Sequence, residues 1–276
     1  MFSRAVRVEP STCLALIVSL VLSGCATSEY SALDDDFCSR LPNYSLELGS
    51  ENGPLTNMAD LTESLGVYYY KYSNELFFGQ VVDFHGNGQL KSRGWIIEGS
   101  KHGLWEYYDE NGSLSEAGNF RVFKHGLWEY FRENGSWSHT GNFKCGRKDG
   151  RWTYFYGNDS VSQNNYFKSG NRTGVWELFH SSGWLIAKTY FTGEWDFLQE
   201  LFDQSGNLTS RIPWKNGMMN GLREMYYEDG SIEMRVLYQD GDKTGLMVFF
   251  DSNGQPKSQS CFQNNEQVDM SICSEK

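Results

Sequence analysis

From residue 79 onward, short apolar and polar runs alternate and restart every 23 or 24 residues, at Gly79, Gly103, Gly126, Gly150, Gly174, Phe197, Gly221 and Gly245. Two copies are nearly identical: Gly103-Leu-Trp-Glu-Tyr-Tyr-Asp-Glu-Asn-Gly112 and Gly126-Leu-Trp-Glu-Tyr-Phe-Arg-Glu-Asn-Gly135. A fixed period of this length marks a repeat architecture, in which each unit buries its apolar face against its neighbours. Numbering each unit from its start, position 6 is always aromatic (Phe84, Tyr108, Phe131, Phe155, Phe179, Phe202, Tyr226, Phe250). Position 12 is mostly apolar, from Leu90 and Leu114 to Ile232, and Pro256 closes the series. Position 18 is Ile96, Phe120, Phe143, Phe167, Phe191, Trp214, Tyr238 and Phe262. Between these columns stand Asn-Gly, Ser-Gly or Asp-Gly pairs such as Asn111-Gly112 and Asp229-Gly230. A pair of this kind between apolar runs predicts a hairpin turn.

Each unit therefore reads strand, Asn-Gly turn, strand, glycine turn. The pattern predicts an all-β fold, an elongated antiparallel array of about eight two-stranded units. Positions 6, 12 and 18 share parity, which in unbulged strands places them on one face of the sheet. Trp105, Trp128, Trp152 and Trp176, at position 3, have the opposite parity and are expected on the second face. There they form a candidate binding strip for glycan rings or peptide side chains, unless a further layer buries them.

The consensus Gly-x-Trp-x-x-Tyr/Phe, Asn-Gly-x-Leu, Phe-x-x-Gly resembles the MORN-repeat variant of the YwqK antitoxin family and covers roughly residues 79 to 267. The resemblance implies a MORN-like meander and a repeat scaffold. From Phe197 onward the Trp column is lost, to Gln199, Arg223 and Met247. The antitoxin connection implies a second possible role, neutralising a toxin.

The N-terminal residues carry a different message. Arg4 and Arg7 precede the apolar run from Cys13 to Leu22, too short to span a bilayer but of signal-peptide length. It ends in Leu22-Ser23-Gly24-Cys25, which resembles the bacterial lipoprotein box. That resemblance implies cleavage before Cys25, acylation of its thiol, and, with Ala26 following, an outer-membrane destination facing the periplasm or the cell surface. Several acyl chains anchor durably where one does not. The expected organisation is a signal peptide over 1–24, the acylated cysteine and a polar tether over 25–50, and a cap region over 51–78. The repeats follow over 79–267, then a C-terminal tail over 268–276. Within the cap, 57–66 fits a short helix N-capped by Thr56, and Val67 to Tyr72 is strand-like, a cover for the open edge of the array.

Composition narrows the function. Aromatics make up 16% of the chain, with 29 Gly and only 5 Pro, which suits many short strands and excludes long disorder. A net charge of −11 disfavours nucleic acid and anionic lipid heads, so membrane attachment is expected through the N-terminal lipid alone. With export come disulfides: Cys261 with Cys273 is the expected staple, and Cys38 with Cys145 a looser expectation. There is no Cys-x-x-Cys, phosphate loop, His-Glu-x-x-His or nucleophile elbow. Glu106, Glu129, Glu177, Glu200 and Glu224 recur at position 4 and read as a solvated strand edge rather than a cation site. His102 and His125 stand in Lys-His-Gly segments whose column accepts any polar residue, so they read as turn residues rather than metal ligands. No cofactor, metal or catalytic residue is expected. The expected function is a non-catalytic scaffold binding a protein or an envelope polymer; an envelope glycan-processing enzyme is the remaining, least supported alternative.

Overall fold

The computed structural model describes residues 55–274. The signal peptide, the tether, Cys25 and Cys38 lie outside the described residues. All eight repeats fold as hairpins. The leading strands are Gly79–Phe84, Ser100–Tyr108, Phe123–Phe131, Arg147–Phe155, Asn171–Phe179, Phe197–Phe202, Gly221–Tyr226 and Asp242–Phe250. The return strands are Leu90–Ile97, Leu114–Arg121, Trp137–Lys144, Val161–Lys168, Leu185–Phe191, Leu208–Lys215, Ile232–Gln239 and Pro256–Gln263.

The chain divides into two compact units, one reaching Gly126 and including Lys144–Gly146, the other holding Leu127–Phe143 and the chain from Arg147 on. In the first, Gly79–Phe84, Leu90–Ile97, Ser100–Tyr108 and Leu114–Arg121 pair in succession, each antiparallel to the last. In the second, the same meander runs from Arg147–Phe155 to Glu266–Val268.

The Asn-Gly turns differ from two-residue hairpin loops. At Asn87-Gly88 only the glycine has positive φ, +84°. Gly88 N–H donates to His85 O and His85 N–H to Gln89 O, a type I turn closed by a left-handed residue. The asparagine holds the turn through its side chain, its Oδ1 accepting from Gln89 N–H at 3.0 Å. The other turn is the tight one: Glu98-Gly99, Cys145-Gly146, Ser169-Gly170, Asn216-Gly217 and Asp240-Gly241 have positive φ at both residues.

The turn geometry inserts one extra residue into each return strand, and this overturns the expected face assignment. Tyr107 pairs with Glu116, whereas the next residue, Tyr108, pairs with Leu114; the same shift recurs at Asp83/Phe84, Tyr154/Phe155, Leu178/Phe179, Leu201/Phe202, Met225/Tyr226 and Phe249/Phe250. A one-residue bulge reverses the side-chain alternation beyond it. Positions 6 and 12 therefore share one face, while position 18 crosses to the other and joins the tryptophans of position 3. Gly103 faces Phe120 and Trp105 faces Gly118 across that hairpin.

The ends also depart from expectation. No helix spans 57–66: a single 3-10 turn, Met58–Asp60, is capped by Asn57, and a hairpin of Leu61–Ser64 with Val67–Tyr70 follows, turning at Leu65-Gly66. The edge of Gly79–Phe84 is covered in parallel by Thr56–Asn57, with Thr56 opposite Val81, rather than by Val67–Tyr70. At the other end, Cys261 and Cys273 form a disulfide that ties the short helix Ser271–Ser274 to the last return strand. That strand gains a partner in Glu266–Val268, so pairing runs one residue past the expected boundary at 267. Cys145 is also disulfide-bonded, and the expected pairing with Cys38 falls on a residue outside the described range.

Candidate functional site

Three of the four tryptophans of the expected binding strip, Trp105, Trp128 and Trp152, are core. Trp105 and Trp128 are 0% exposed and Trp152 1%. Glycine makes this possible. Trp105 lies flat on the backbone of Gly94, where a Cβ would come within 2.3 Å of the indole, and Trp152 lies likewise on Gly141, at 2.2 Å. An aromatic ring laid over a strand glycine fills the space the glycine leaves. The indole N–H of Trp105 donates to Trp95 O and that of Trp152 to Asn142 O, both at 3.1 Å, so each ring is fixed in plane. Its flanks are aromatic: Phe120 meets Trp105 edge-on at 6.0 Å, and Phe143 meets Trp152 at 5.0 Å.

The outer face of each ring is already taken. Lys101 Nζ sits 4.1 Å from the Trp105 centroid and donates to Tyr107 Oη at 2.9 Å. Lys148 repeats the arrangement over Trp152 at 4.1 Å, with Tyr154. Each is an aromatic cage occupied by the chain's own ammonium. Burial pushes the Lys101 ammonium below its ordinary value, although Glu63 and Glu116 pull the other way.

Three of the five glutamates of the acidic row, Glu106, Glu200 and Glu224, are engaged in ion pairs rather than solvated. Arg211 Nη2 reaches Glu200 Oε1 at 2.8 Å and Arg235 Nε reaches Glu224 Oε1 at 2.8 Å. Tyr190 and Tyr226 donate to the second oxygens of these carboxylates. Arg93 pairs with Glu106. Only 13% of the Glu200 side chain and 14% of the Glu224 side chain remain exposed, so neither carboxylate is open to a cation from solution. Burial raises Glu224, but the Tyr226 hydroxyl and the Arg235 guanidinium outweigh it and hold the carboxyl below its ordinary value. Burial and the Glu224 contact push Tyr226 up to about 12. His102 and His125 are strand residues rather than turn residues, each beside a kinked glycine (Gly103 φ +64°, Gly126 φ +67°). His102 is 5% exposed with Nδ1 against Ser100 O, and burial lowers its pKa. No group of metal-binding side chains exists among the described residues.

What remains distinctive is the place where the repeat breaks. Down the chain, position 16 is Gly94, Gly118 and Gly141, then Asn165 and Thr189, then Ile212 and Val236. Position 3 is Val81 in the first repeat, then Trp from Trp105 to Trp176, then Gln199, Arg223 and Met247. Where glycine ends, branched aliphatic residues eventually fill the space, and Met219, Met225 and Met247 pack against Met234, Val236 and Tyr238. Between the two regimes neither filler is present. Trp176 lies over Asn165 in place of a glycine and is only half-buried, its N–H donating to Tyr166 O at 2.9 Å. A depression opens there, lined by Trp176, Leu178 and Ala187 and by the polar residues Gln163, Asn165, Glu177, Thr189 and Gln199.

Arg172 takes the cation position, 5.3 Å from the Trp176 centroid and 5.1 Å from that of Trp195. Trp195 is 52% exposed on the 192–196 loop, which stands where five of the other repeats make a tight turn ending in glycine. The sequence signal for this site was the conjunction of a missing glycine at 165, a missing Trp at 199 and a turn lacking its glycine pair.

Residues 101–121, 172–192, 219–240 and 243–264 match the family model of the MORN repeat variant. Each matched segment runs from at or near the cation column, through the Trp column, to the end of the return strand. No curated protein matches the chain. Among solved structures the chain is similar to a point mutant of S. aureus TarM in complex with fondaparinux, alpha-GlcNAc-glycerol and UDP. The identity is 14%, over 36% of this chain and 20% of that one, with a TM-score of 0.29. A second crystal structure of TarM gives 13% identity over 41% and 22% of the two chains, with a TM-score of 0.30. The chain thus spans about a fifth of the length of those proteins.

Proposed function

We propose, from the premise that this chain carries MORN-variant repeats, that it is a non-catalytic binding scaffold of the bacterial envelope. In this reading it is held at the outer membrane through an acylated Cys25 and presents its repeats to a protein or an envelope polymer. The observation that carries the reading is how the polar groups are used. In the described repeats Glu106, Glu200 and Glu224 of position 4 are tied to arginines, the last two also to tyrosines, and Lys101 and Lys148 of the cation column lie over tryptophans. A catalytic centre needs titratable groups poised toward an open cleft. These groups instead bind one another and stiffen the hairpins.

Surface left for contact is of two kinds. Position 2 exposes a run of leucines on the face opposite the tryptophans, with Leu222 at 45% and Leu246 at 38%. The depression beside Trp176 is the other. The full chain, immobilised and exposed to envelope extract, is expected to retain a discrete protein or polymer. Retention is expected to drop in a variant carrying both Leu222→Glu and Leu246→Glu, or in one with Gln199 replaced. Recovery of no component above background from a folded chain would contradict the scaffold reading. Replacing Cys25 with Ser is expected to move the protein from the membrane to the soluble fraction, and unchanged fractionation would refute the anchor.

A further inference from the structure

We propose that the depression between the fourth and sixth repeats is a saccharide subsite, in which a pyranose ring lies against Trp176 and is hydrogen-bonded by Gln163, Thr189 and Gln199. This deepens, and rests on, the scaffold reading by giving one of its contact surfaces a ligand class. Three observations converge. First, the regular repeats fill this location with an indole over a glycine, and here both are replaced: Asn165 and Thr189 stand where Gly94 and Gly141 stand, and Gln199 where Trp152 stands. The volume is left open, and its lining is mixed: Trp176, Leu178 and Ala187 give an apolar floor, with Gln163, Asn165, Glu177, Thr189 and Gln199 as polar groups around it.

Second, the hydrogen-bonding capacity of that lining is largely unspent. The Asn165 amide donates to Gln163 Oε1 at a long 3.4 Å, and no other side-chain hydrogen bond engages Gln163, Asn165, Thr189 or Gln199 among the described residues. Amides that both donate and accept, set beside an aromatic ring, match a sugar, whose hydroxyls do the same and whose C–H face is apolar.

Third, the ring is held in place before any ligand arrives. Phe167 and Phe191 pack on Trp176 at 5.1 and 4.9 Å, and the bond to Tyr166 O fixes its plane. Arg172, between Trp176 and Trp195, closes one side and has no carboxylate partner among the described residues. Its N–H groups are available to a hydroxyl or a sugar carboxylate at the rim. A polypeptide strand fits less well, because the free groups are side-chain amides grouped at one spot rather than an unpaired strand edge.

The test is a titration of the full chain with chitotetraose and, separately, maltotetraose, followed by NMR of the tryptophan indole and glutamine amide resonances. Saturable shifts of Trp176 and Gln199 with one of the two are expected, with Trp105 and Trp152 unmoved. Gln199→Ala is expected to weaken binding about fivefold, the effect of one lost hydrogen bond. The sharper variant restores the regular repeat: Thr189→Gly with Gln199→Trp refills the depression, keeps the fold and abolishes the shifts. Absence of saturable shifts with either sugar up to about 10 mM, a weak limit even for a single subsite, overturns the proposal. Shifts that persist in the refilled variant overturn it too. If neither sugar gives saturable shifts while the unaltered chain still retains a component of envelope extract, the saccharide subsite falls and the scaffold reading stands; if the unaltered chain retains nothing either, both fall.

Discussion

At the scale of single residues, glycine does two unrelated jobs in this chain, and substitution separates them. Gly94 has an ordinary strand conformation, but its missing Cβ is where the Trp105 ring lies. Gly135 has φ +79° and nothing within 4 Å of where a Cβ would stand. Gly94→Ala is expected to destabilise by about 1–3 kcal/mol through overpacking. Combining it with Trp105→Leu should then cost less than the sum of the two, because the clash disappears. Gly135→Ala is expected to cost about 1–2 kcal/mol through backbone strain alone, largely recovered by Gly135→Asn. Denaturant unfolding of these five variants, the Trp105→Leu single included, checks both. Additive effects at Gly94 and Trp105 would refute the packing account.

The Tyr226–Glu224 contact gives a pH-dependent counterpart. Folding raises the tyrosine pKa from 10.0 to about 12, so the folded state keeps a proton that the unfolded chain releases. The contribution is intact below pH 10 and fades as pH rises through about 12. Tyr226→Phe is expected to flatten the alkaline decline of stability in that window, and an unchanged decline in thermal unfolding would contradict it.

At the scale of elements, the regular hairpin joins a bulged type I turn at one end to a tight two-residue turn at the other, and the 192–196 loop is a departure from it. The period, the eight hairpins and their boundaries were legible because Asn-Gly pairs and recurrent aromatics are local signals. Face assignment was not. Whether position 18 shares a face with position 6 depends on one extra residue per return strand, which the turn geometry introduces and residue types alone do not announce. One bulge per return strand put Phe120, Phe143 and Phe167 on the tryptophan side and turned most of an expected binding strip into core. The 57–66 segment misled for a similar reason: Leu65 and Gly66, with φ of +54° and +78°, make a tight turn where a helix would need its last residues. The Cys261–Cys273 bond closes a loop of 12 residues, and its removal by Cys273→Ser is expected to cost about 3 kcal/mol. The loss should be confined to the last repeat, because each repeat contacts mainly its neighbours. Hydrogen exchange checks this, with faster exchange expected in Pro256–Gln263 and Glu266–Val268 and none in Leu114–Arg121; a uniform rise across all repeats would contradict local coupling.

At the scale of the molecule, the repeats change character along the chain. Indole over glycine, capped by lysine, gives way to methionine packed on branched aliphatics. The interruption between them, at Asn165, Trp176, Thr189, Trp195 and Gln199, is where local regularity is given up without a packing gain, the pattern expected of a functional position. On this reading the regular tryptophans serve the fold and leave recognition to this interruption. Oxidative footprinting of the folded full chain, read tryptophan by tryptophan by mass spectrometry, tests it most directly. Trp195 is expected to react fastest and Trp176 at an intermediate rate, with Trp105, Trp128 and Trp152 protected. Comparable modification of all five would contradict the account and return the tryptophan column to the surface.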